Sequence, residues 1–385
     1  MISKIAISAI LLIFTIIPSY ARQIRVALFR GLPQIISVRS CTMRTSEGTQ
    51  STISTKPVDI TNVSGMLKIG SRKPANSIQL YPNKPDTTTA IQDNHSSQYR
   101  RYRGWIEIRP RSGRLLVINH IDIEDYLRGV VPGEMPQGWP FQAYASQAIV
   151  ARSYAFASIG RHTSEGYDLC SLTHCQIYHG VSYERPETDN AVRATSGLVL
   201  VYQGNPVPAP YHSTCGGMTT DGLYDGHRRE PFLQPVSDMK SSKAYCAASP
   251  HFRWKSVTSL ESIVETLRMD KVDAPSHSSD MRILSTDSSG RAALIRLTGE
   301  TRNDVSGYDV MMSAGRHLGW QTIKSTKFTI RKSGSKMVFE GKGLGHGMGM
   351  CQWGARGMAE QGHSFQEILR HYFPKCRLIK LRANR

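Results

Sequence analysis

The chain has 385 residues, of which 39% are hydrophobic, and a formal net charge of +18 at pH 7. Its length and apolar content support one large globular domain or two ordinary ones, which excludes a chain that is disordered throughout. The positive charge favours polyanionic partners: nucleic acid, anionic lipid, or a polymer bearing carboxylates or phosphates. The sequence holds no run of interleaved aromatic and basic residues of the kind that single-strand nucleic-acid binders use.

The first residues have the layout of a secretory signal. Lys4 precedes an apolar run over residues 5–17, and Ala21 offers a cleavage site. The run is shorter than the roughly 20 residues needed to span a bilayer. We therefore predict a signal peptide over residues 1–21 and an exported protein of the periplasm or cell envelope, with an uncleaved membrane anchor as the alternative. Export also argues against nucleic acid as a partner.

A β-rich N-terminal region is predicted over residues 22–120. Residues 23–29 alternate polar and apolar side chains, which is typical of a strand. Residues 42–103 are rich in Ser, Thr, Pro, Asn and Lys, and they indicate a loop-rich insertion in this region. Residues 105–108 and 115–118 flank a Ser-Gly turn and predict a hairpin.

A helix is expected to begin near Ile123, and a stronger helix prediction follows over residues 140–159. Pro140 suits the first turn of a helix, the segment is rich in alanine, and Gly160 is placed to end it. The small side chains should let other elements pack close to this helix.

The remaining residues alternate helical and strand patterns. Helices are predicted over residues 259–268, 310–317 and 365–372, the last capped by Ser364, and strands over residues 281–284, 292–297, 327–331 and 336–339. Together these patterns predict an α+β fold, a mixed core domain with a β-rich, loop-rich N-terminal lobe. We place the core over residues 121–376 and a basic tail over residues 377–385.

Glu134 is the candidate catalytic carboxylate. It belongs to residues 130–140, a segment with three prolines that also holds Met135 and Trp139 and that we expect to form a loop. A carboxyl group beside apolar side chains is disfavoured as an anion, so its pKa should rise, which suits proton donation near neutral pH. A solvated loop glutamate, or one that stabilises the positive end of the next helix, is the alternative.

Four segments, in order along the chain, resemble the stage II sporulation protein D and amidase enhancer (SpoIID/LytB) family. The first is residues 126–157, with Gly-Glu-Met-Pro from position 133 and Ala-Arg-Ser-Tyr-Ala from position 151. The others are residues 175–180, 211–219 and 343–355. The resemblance extends over residues 23–374, and four ordered motifs are far more specific than one glycine pattern.

The resemblance implies that the protein is a lytic transglycosylase of peptidoglycan. In this reaction Glu134 protonates the glycosidic oxygen between N-acetylmuramic acid and N-acetylglucosamine, then deprotonates the muramic 6-hydroxyl, which closes a 1,6-anhydro ring. A hydrolase needs a second carboxylate to activate water or to form a covalent adduct, whereas here an internal hydroxyl replaces that water. Glycan strands stripped of their peptides carry one carboxylate per disaccharide, which agrees with the basic charge of the chain.

The family name also implies a function of another class. A glycan-binding protein without activity of its own would stimulate an N-acetylmuramoyl-L-alanine amidase, although Glu134 favours the enzyme. Under either function the expected partners are peptidoglycan glycan strands and a cell-wall amidase, and the setting is cell-wall remodelling during division or sporulation.

Further site residues are implied by the resemblance. Arg152 matches a family arginine, and its guanidinium can orient Glu134 or bind the lactyl carboxylate of a peptide-free muramic residue, the alternative being an exposed helix arginine. The family often has a lysine where Ala145 stands, which puts one substrate contact in doubt. The residues expected to contact substrate are Gln147, Tyr154, Gln176, Tyr178, Tyr211, His212, Ser213 and His346. Close packing of the glycine-rich loop is the alternative role of His346.

Cys170, His174 and Cys175 gather thiol and imidazole groups in a short loop, and members of the family hold zinc nearby. Sulfur and nitrogen ligands suit zinc, whose role here would be structural. A disulfide between Cys170 and Cys175 is an equal alternative in an oxidising compartment. The chain has seven cysteines, an odd number, so at least one is a free thiol, a metal ligand or an intermolecular partner. A Cys/His hydrolase built on His212 and Cys215 is a poor fit, since cysteine nucleophiles are uncommon under oxidation.

Overall fold

The computed structural model describes residues 23–29, 31–84, 87–222 and 230–381. The predicted signal peptide, residues 1–21, lies outside the described residues. Seven helices and several sheets confirm the predicted α+β class for the part of the chain that is described. Within that part, no helix combines the length and the apolar character that crossing a membrane requires.

Two sheets build the N-terminal region. Their strands are β1 (Gln23–Ala27), β2 (Ile35–Arg39), β3 (Cys41–Thr45), β4 (Gln50–Ile53), β5 (Val58–Val63), β6 (Met66–Ile69), β7 (Ile78–Pro82), β8 (Thr89–Asp93), β9 (Arg100–Tyr102), β10 (Trp105–Arg111) and β11 (Arg114–Asp122). Strands β6-β5-β2-β8-β9 form a five-stranded sheet, and β1, β11, β10, β7, β3 and β4 belong to a seven-stranded one. The region predicted to be loop-rich contains the paired strands β3 to β9. Short segments whose side chains alternate in burial, such as β6 and β7, run through its polar sequence.

Two helices join this lobe to the core. α1 (Ile123–Glu134) is capped by Asp122, whose side chain accepts the N–H of Glu124 at 2.8 Å. The loop predicted over residues 130–140 is wrong in its first half, since α1 continues to Glu134 with Pro132 inside it. A proline this close to the end removes little of the helical hydrogen bonding, and the N–H of Met135 still bonds the Val131 carbonyl at 3.1 Å.

α2 (Phe141–Ala157) confirms the helix predicted over residues 140–159. It is buried on nearly all sides, because its alanines let α1 and several later elements approach closely. The elements that follow are β12 (Leu169–Cys170), α3 (Pro186–Ala194), β13 (Leu198–Tyr202), β14 (Asn205–Pro206), β15 (Tyr211–His212), β16 (Met239–Lys240) and β17 (Lys243–Ala244). β12 pairs in parallel with β1 and closes one edge of the seven-stranded sheet.

A separate hydrophobic core lies within residues 254–341. The unit consists of β18 (Trp254–Ser259), α4 (Leu260–Met269), β19 (Ser278–Thr286), β20 (Ala292–Gly299), β21 (Arg302–Ser306), α5 (Gly307–Leu318), β22 (Phe328–Ser333) and β23 (Lys336–Gly341). Its strands form two three-stranded sheets, β18-β23-β22 and β19-β20-β21. Their buried side chains pack with those of α4 and α5. This unit is inserted between segments that belong to the main core.

After the insertion the chain returns to the main core. β24 (Met350–Cys351) pairs in parallel with β15, and α6 (Gln352–Glu360) begins directly after it. α7 (Phe365–Tyr372) has the predicted Ser364 cap, which forms a reciprocal capping box with Glu367. β25 (Arg377–Lys380), in the segment we expected to be a basic tail, pairs with β13.

Candidate active site around Glu134

Glu134 lies at the last residue of α1, partly exposed, where the helix meets residues 176–178. Its Oε1 accepts the N–H of Ile177 at 3.0 Å. This contact is possible because Gly129 has no side chain: a Cβ there would lie 2.7 Å from the Tyr178 ring. The glycine thus lets the segment pack directly on the helix and aim a main-chain donor at the carboxylate.

A chain of polar side chains extends from the carboxyl group into the core. The Tyr211 hydroxyl hydrogen-bonds Glu134. It also accepts the Nε2 amide of Gln176 at 3.3 Å, and Tyr126 donates its hydroxyl to Gln176 Oε1 at 3.3 Å. Residues from three separate family-like segments therefore meet at one carboxyl group.

The main chain of Glu134 is held from the other side by α6. Gln352 donates its Nε2 amide to the Glu134 carbonyl at 3.1 Å and to Gln147 Oε1 at 3.3 Å. Carbonyls in the last turn of a helix lack partners within the helix, so Gln352 satisfies one of them. The Gln147 Nε2 atom is buried and makes no hydrogen bond to any residue that the structure describes.

Burial raises the pKa of Glu134, while the N–H of Ile177 and the hydroxyl of Tyr211 act in the opposite direction. The neutral acid is therefore favoured by desolvation, and the anion still has two donors once the proton has left. This balance suits a group that first donates a proton and then accepts one. Neither alternative for Glu134 fits these observations. The desolvated carboxyl group is not a solvated loop glutamate, and the N-cap of α2 is Pro140 rather than Glu134.

An aromatic and cationic cluster is formed by Trp139, five residues after Glu134, and by two residues of α6. Trp139 and Trp353 meet edge to face with ring centroids 5.1 Å apart. The Arg356 guanidinium lies 5.4 Å from the Trp139 centroid and 4.9 Å from the Trp353 centroid. Trp353 follows Gln352 in the chain, so α6 supplies both the cluster and the support of Glu134.

The expected contact between Arg152 and Glu134 is wrong, because Arg152 binds Glu124 instead. Its guanidinium is fully buried and forms a bidentate pair with Glu124 at 2.8 and 2.9 Å. Its remaining hydrogen bonds go to the carbonyls of Leu198 and Val192. Since Glu124 and Glu134 are ten residues apart on α1, the two sites are separated by about 15 Å along the helix axis. Arg152 therefore joins α1, α2 and β13 rather than facing a substrate.

Several residues expected to contact substrate lie behind the surface. Gln147, Gln176, Tyr178 and His212 are each at most 4% exposed, so they can act on a ligand only through other side chains. The Tyr178 ring packs against Tyr126, and its hydroxyl donates to Asn119 at 2.9 Å. A ring enclosed in this way cannot stack on a sugar.

Tyr154 and Ser213 are partly exposed, as is Tyr211. The Tyr154 hydroxyl accepts a hydrogen bond from Arg161 Nη1 at 2.8 Å, and the Ser213 hydroxyl oxygen lies 3.2 Å from that of Thr214. Of the residues expected to contact substrate, Tyr211 hydrogen-bonds Glu134 directly. Gln176 is connected to Glu134 through Tyr211, and Gln147 is connected through Gln352.

His212 and His346 connect β15 to the glycine-rich loop. His212 Nδ1 donates to the Met348 carbonyl at 3.0 Å, and His346 Nδ1 accepts the Met348 N–H at 3.0 Å. His346 also hydrogen-bonds the main chain of Tyr211. Burial lowers the pKa of His346 to about 4, so its imidazole is neutral. Both of its nitrogens therefore position Tyr211 and the loop, in agreement with the packing role.

The three residues predicted to bind zinc are joined by a fourth, His162. Cys175 Sγ lies 3.5 Å from His162 Nε2 and 3.5 Å from His174 Nδ1, and Cys170 Sγ lies 3.8 Å from His174 Nδ1. Zinc bonds of about 2.0–2.3 Å in a tetrahedron separate neighbouring ligands by about 3.3–3.8 Å. The donor atoms of His162, His174 and Cys175 all lie within 4.8 Å of one another and are close enough for one ion, with Cys170 beside His174 as the fourth candidate. A hydrogen bond from Cys175 lowers the pKa of the Cys170 thiol to about 5.

His162, Gln352, Trp353 and Arg356 were not singled out from the sequence. Gln352 and Trp353 stand inside the glycine-rich motif, but nothing in their spacing indicates that the following helix returns to Glu134. His162 lies eight residues before Cys170, outside the local cluster of donors. A search for further histidines near that loop could have found it.

Comparisons with known proteins place the chain among cell-wall proteins. The profile of the stage II sporulation protein (SpoIID) family matches residues 111–202, and that of a domain of unknown function, DUF8618, matches residues 225–349. An uncharacterized protein of Brachyspira hyodysenteriae is 31% identical over 299 residues, or 77% of each chain.

Two relatives carry functional names. Stage II sporulation protein D of Bacillus amyloliquefaciens is 27% identical over 277 residues, 66% of this chain and 74% of that one. The amidase enhancer of Bacillus subtilis is 28% identical over 290 residues, 64% of this chain but 39% of that protein. The SpoIID profile match covers the helix that carries Glu134 and the residue Ile177 that hydrogen-bonds its carboxyl group, and the chain belongs to the SpoIID/LytB family, which is involved in cell-wall processing.

Proposed function

We propose that the protein is a lytic transglycosylase that cleaves the bond between N-acetylmuramic acid and N-acetylglucosamine in peptidoglycan. The observation that carries this proposal is the state of Glu134: a partly exposed carboxyl group with a raised pKa that also has two donors ready for its anion. Such a group can serve as both acid and base in one reaction.

In the first step protonated Glu134 donates its proton to the glycosidic oxygen as the bond from the muramic C1 breaks. The carboxylate that forms is stabilised by the N–H of Ile177 and the hydroxyl of Tyr211. It then takes the proton of the muramic 6-hydroxyl while O6 bonds to C1 and closes the 1,6-anhydro ring. The proton returns to Glu134, so the cycle needs neither water nor a second carboxylate.

Trp353 and Arg356, which are both partly exposed, support a glycan substrate, whereas Trp139 is only 7% exposed and packs against Trp353. Aromatic faces pack against the apolar faces of sugar rings, and a guanidinium binds a carboxylate in bidentate fashion. We assign recognition of the lactyl carboxylate to Arg356 rather than to the buried Arg152, because Arg356 is partly exposed and its carboxylate partner, Glu360 at 2.7 Å from Nε, is exposed. This preference for carboxylate-bearing, peptide-stripped strands agrees with the basic charge of the chain.

A zinc ion held by His162, Cys170, His174 and Cys175 would stabilise the loop before Gln176. Cys170 is fixed to β1 through the β12 pairing, so the ion would join the N-terminal sheet to the segment that contacts Glu134. Its role would be structural, since four protein ligands leave no open position. Export to the cell envelope, with removal of residues 1–21, is part of the same proposal.

The experiment compares purified wild type with Glu134→Gln on amidase-treated glycan strands, and detects 1,6-anhydro disaccharides by mass spectrometry. Wild type should form them and Glu134→Gln should not. Glu265→Gln, an exposed glutamate on α4, is the control and should keep full activity. Equal product from wild type and Glu134→Gln would overturn the proposal.

The second candidate function is stimulation of an amidase without catalysis, which the named amidase enhancer relative favours. It is tested by adding wild type or Glu134→Gln to a cell-wall amidase on intact peptidoglycan. Equal stimulation by both proteins, with no anhydro product from either, would establish this function instead.

A further inference from the structure

A second group of possible metal ligands lies in the core, apart from the cysteine and histidine loop. It comprises the thiols of Cys215, Cys246 and Cys351 and the carboxylate of Asp238, whose ligand atoms all lie within 4.8 Å of one another. All four residues are buried. Cys215 follows β15, Asp238 and Cys246 come from residues 238–246, and Cys351 ends β24, so three distant segments meet here.

The spacing suits a metal ion. Cys215 Sγ and Cys246 Sγ are 3.6 Å apart. Two sulfurs bound to one tetrahedral zinc at about 2.3 Å lie about 3.8 Å apart, whereas a disulfide bond is about 2.05 Å long. A disulfide would also use only two of the three thiols and would leave the third thiol and the buried carboxylate unexplained.

Main-chain N–H groups already point at the sulfurs. Cys351 Sγ accepts the N–H of Cys215 at 3.2 Å and that of Gly354 at 3.3 Å, and Cys246 accepts the N–H of Gly217. Such donors stabilise thiolates, as they do around known metal-thiolate sites. Cys351 is also the N-cap of α6, where the helix dipole favours negative charge.

Asp238 is supported in the same manner. The hydroxyl of Tyr372 donates to Oδ1, and the N–H of Cys246 donates to Oδ2 at 3.0 Å. Asp238 is fully buried. Burying a carboxylate costs free energy unless it is paired or binds a metal, and hydrogen bonds alone offset this cost only in part. A cation bound by the three sulfurs would also pair with the Asp238 carboxylate and offset the rest of this cost.

We infer that Cys215, Asp238, Cys246 and Cys351 bind a thiophilic divalent cation of the zinc class in a closed, structural site. Binding displaces three thiol protons and leaves the carboxylate as the fourth ligand, so the coordination is complete and no position remains for a substrate. The ion fixes the start of α6, and with it Gln352, which holds the main chain of Glu134. The inference does not depend on the proposed enzymatic activity.

The test measures zinc per full-length chain by mass spectrometry after purification from zinc-supplemented cells. Cys246→Ser should hold one equivalent less zinc than wild type, whatever the content of the site at Cys170. Cys376→Ser, which alters a cysteine outside both groups, is the control and should match wild type. Equal zinc in Cys246→Ser and Cys376→Ser would overturn the inference.

A second measurement covers the case in which Cys246→Ser fails to fold. Cys351→Ser keeps a side chain that can cap α6, and it should also lose one equivalent. In wild type, alkylation in denaturant and chelator without reductant should label Cys215, Cys246 and Cys351 as free thiols. A peptide that joins Cys215 to Cys246 through a disulfide would overturn the metal site.

Discussion

Glu124 and Glu134 occupy the first and last turns of the same helix, α1, in contrasting environments. Glu124 is bound by the buried guanidinium of Arg152, and Gly197 also donates its N–H to it at 3.1 Å. Glu134 has an N–H and a hydroxyl as partners, and burial raises its pKa. A carboxylate paired with arginine stays ionised and holds elements together, whereas one that is desolvated beside neutral donors can exchange a proton.

The difference shows that proximity in the sequence motif does not mean a shared task. Arg152 and Glu134 both belong to the first of the four family-like segments, residues 126–157. The length of α1 nevertheless keeps them apart, because Arg152 binds Glu124 in the first turn and Glu134 is the last residue. One end of α1 is held by a buried salt bridge, and under the proposed function the other end carries the group that transfers protons. Each of the following predictions tests this division.

The largest effect is expected from Glu134→Gln. The amide cannot donate a proton to the glycosidic oxygen, so kcat should fall about 10²–10⁴-fold, the usual contribution of general acid–base catalysis. Thermal unfolding should show no loss of stability, because a neutral side chain replaces one that burial already disfavours as an anion. A clear drop in the unfolding midpoint would assign Glu134 a structural role like that of Glu124.

Arg152→Met should destabilise the protein by about 3–5 kcal/mol, because it removes a fully buried guanidinium and leaves Glu124, which is only 18% exposed, without its partner. Chemical denaturation measures this free energy, and Arg268→Met, an exposed arginine on α4, serves as the control with little change. Replacing Glu124 by Leu in the same variant should restore part of the stability. If Arg152→Met instead unfolds like wild type but loses activity, the separation of the two ends of α1 is wrong.

The pH dependence of stability should differ between wild type and Glu134→Gln. The folded pKa of Glu134 is raised, so its contribution is fully present below the ordinary carboxyl pKa and is lost as pH rises through the raised value. The unfolding midpoint of wild type, relative to Glu134→Gln, should therefore decrease as pH rises over that window. A difference that stays constant with pH would contradict the raised pKa.

Tyr211→Phe should have the smallest effect. It removes one of the two donors that lower the pKa of Glu134, so the alkaline limb of the kcat/KM profile should move to higher pH. Hydrogen bonds to charged groups contribute about 1.5–3 kcal/mol, so the rate should fall about 10- to 100-fold. Tyr202→Phe, on β13, is the matched control, and an alkaline limb that does not move would separate Tyr211 from proton transfer.

The elements with strong local signals were predictable from the sequence. Alanine content and a flanking proline fix α2, and Ser364 with Glu367 fixes the start of α7, because these signals act within a few residues. The end of α1 was not predictable in this way. Pro132 normally indicates a break, but packing of α1 against later segments stabilises the final turn, and that packing involves contacts far apart in sequence.

The candidate site also combines features that were predictable from the sequence with features that were not. The raised pKa of Glu134 could be inferred from its apolar neighbours, and the proximity of Cys170, His174 and Cys175 from their spacing. The roles of Arg152 and Gln352 depend on which side chain comes to face them after folding. The sequence does not distinguish an arginine that binds substrate from one that forms a buried salt bridge, because Glu124, the partner of Arg152, lies 28 residues away in the chain.

The inserted unit at residues 254–341 is anchored to the main core through Arg291. This arginine is fully buried and donates to the Cys215 carbonyl at 2.8 Å, and a Cβ at Gly347 would lie 2.4 Å from its guanidinium carbon. The loop that carries His346 is therefore wrapped around a side chain from the insertion. As a consequence, the two cores should melt together in a single calorimetric transition, and excising the insertion should release the loop that aligns Tyr211.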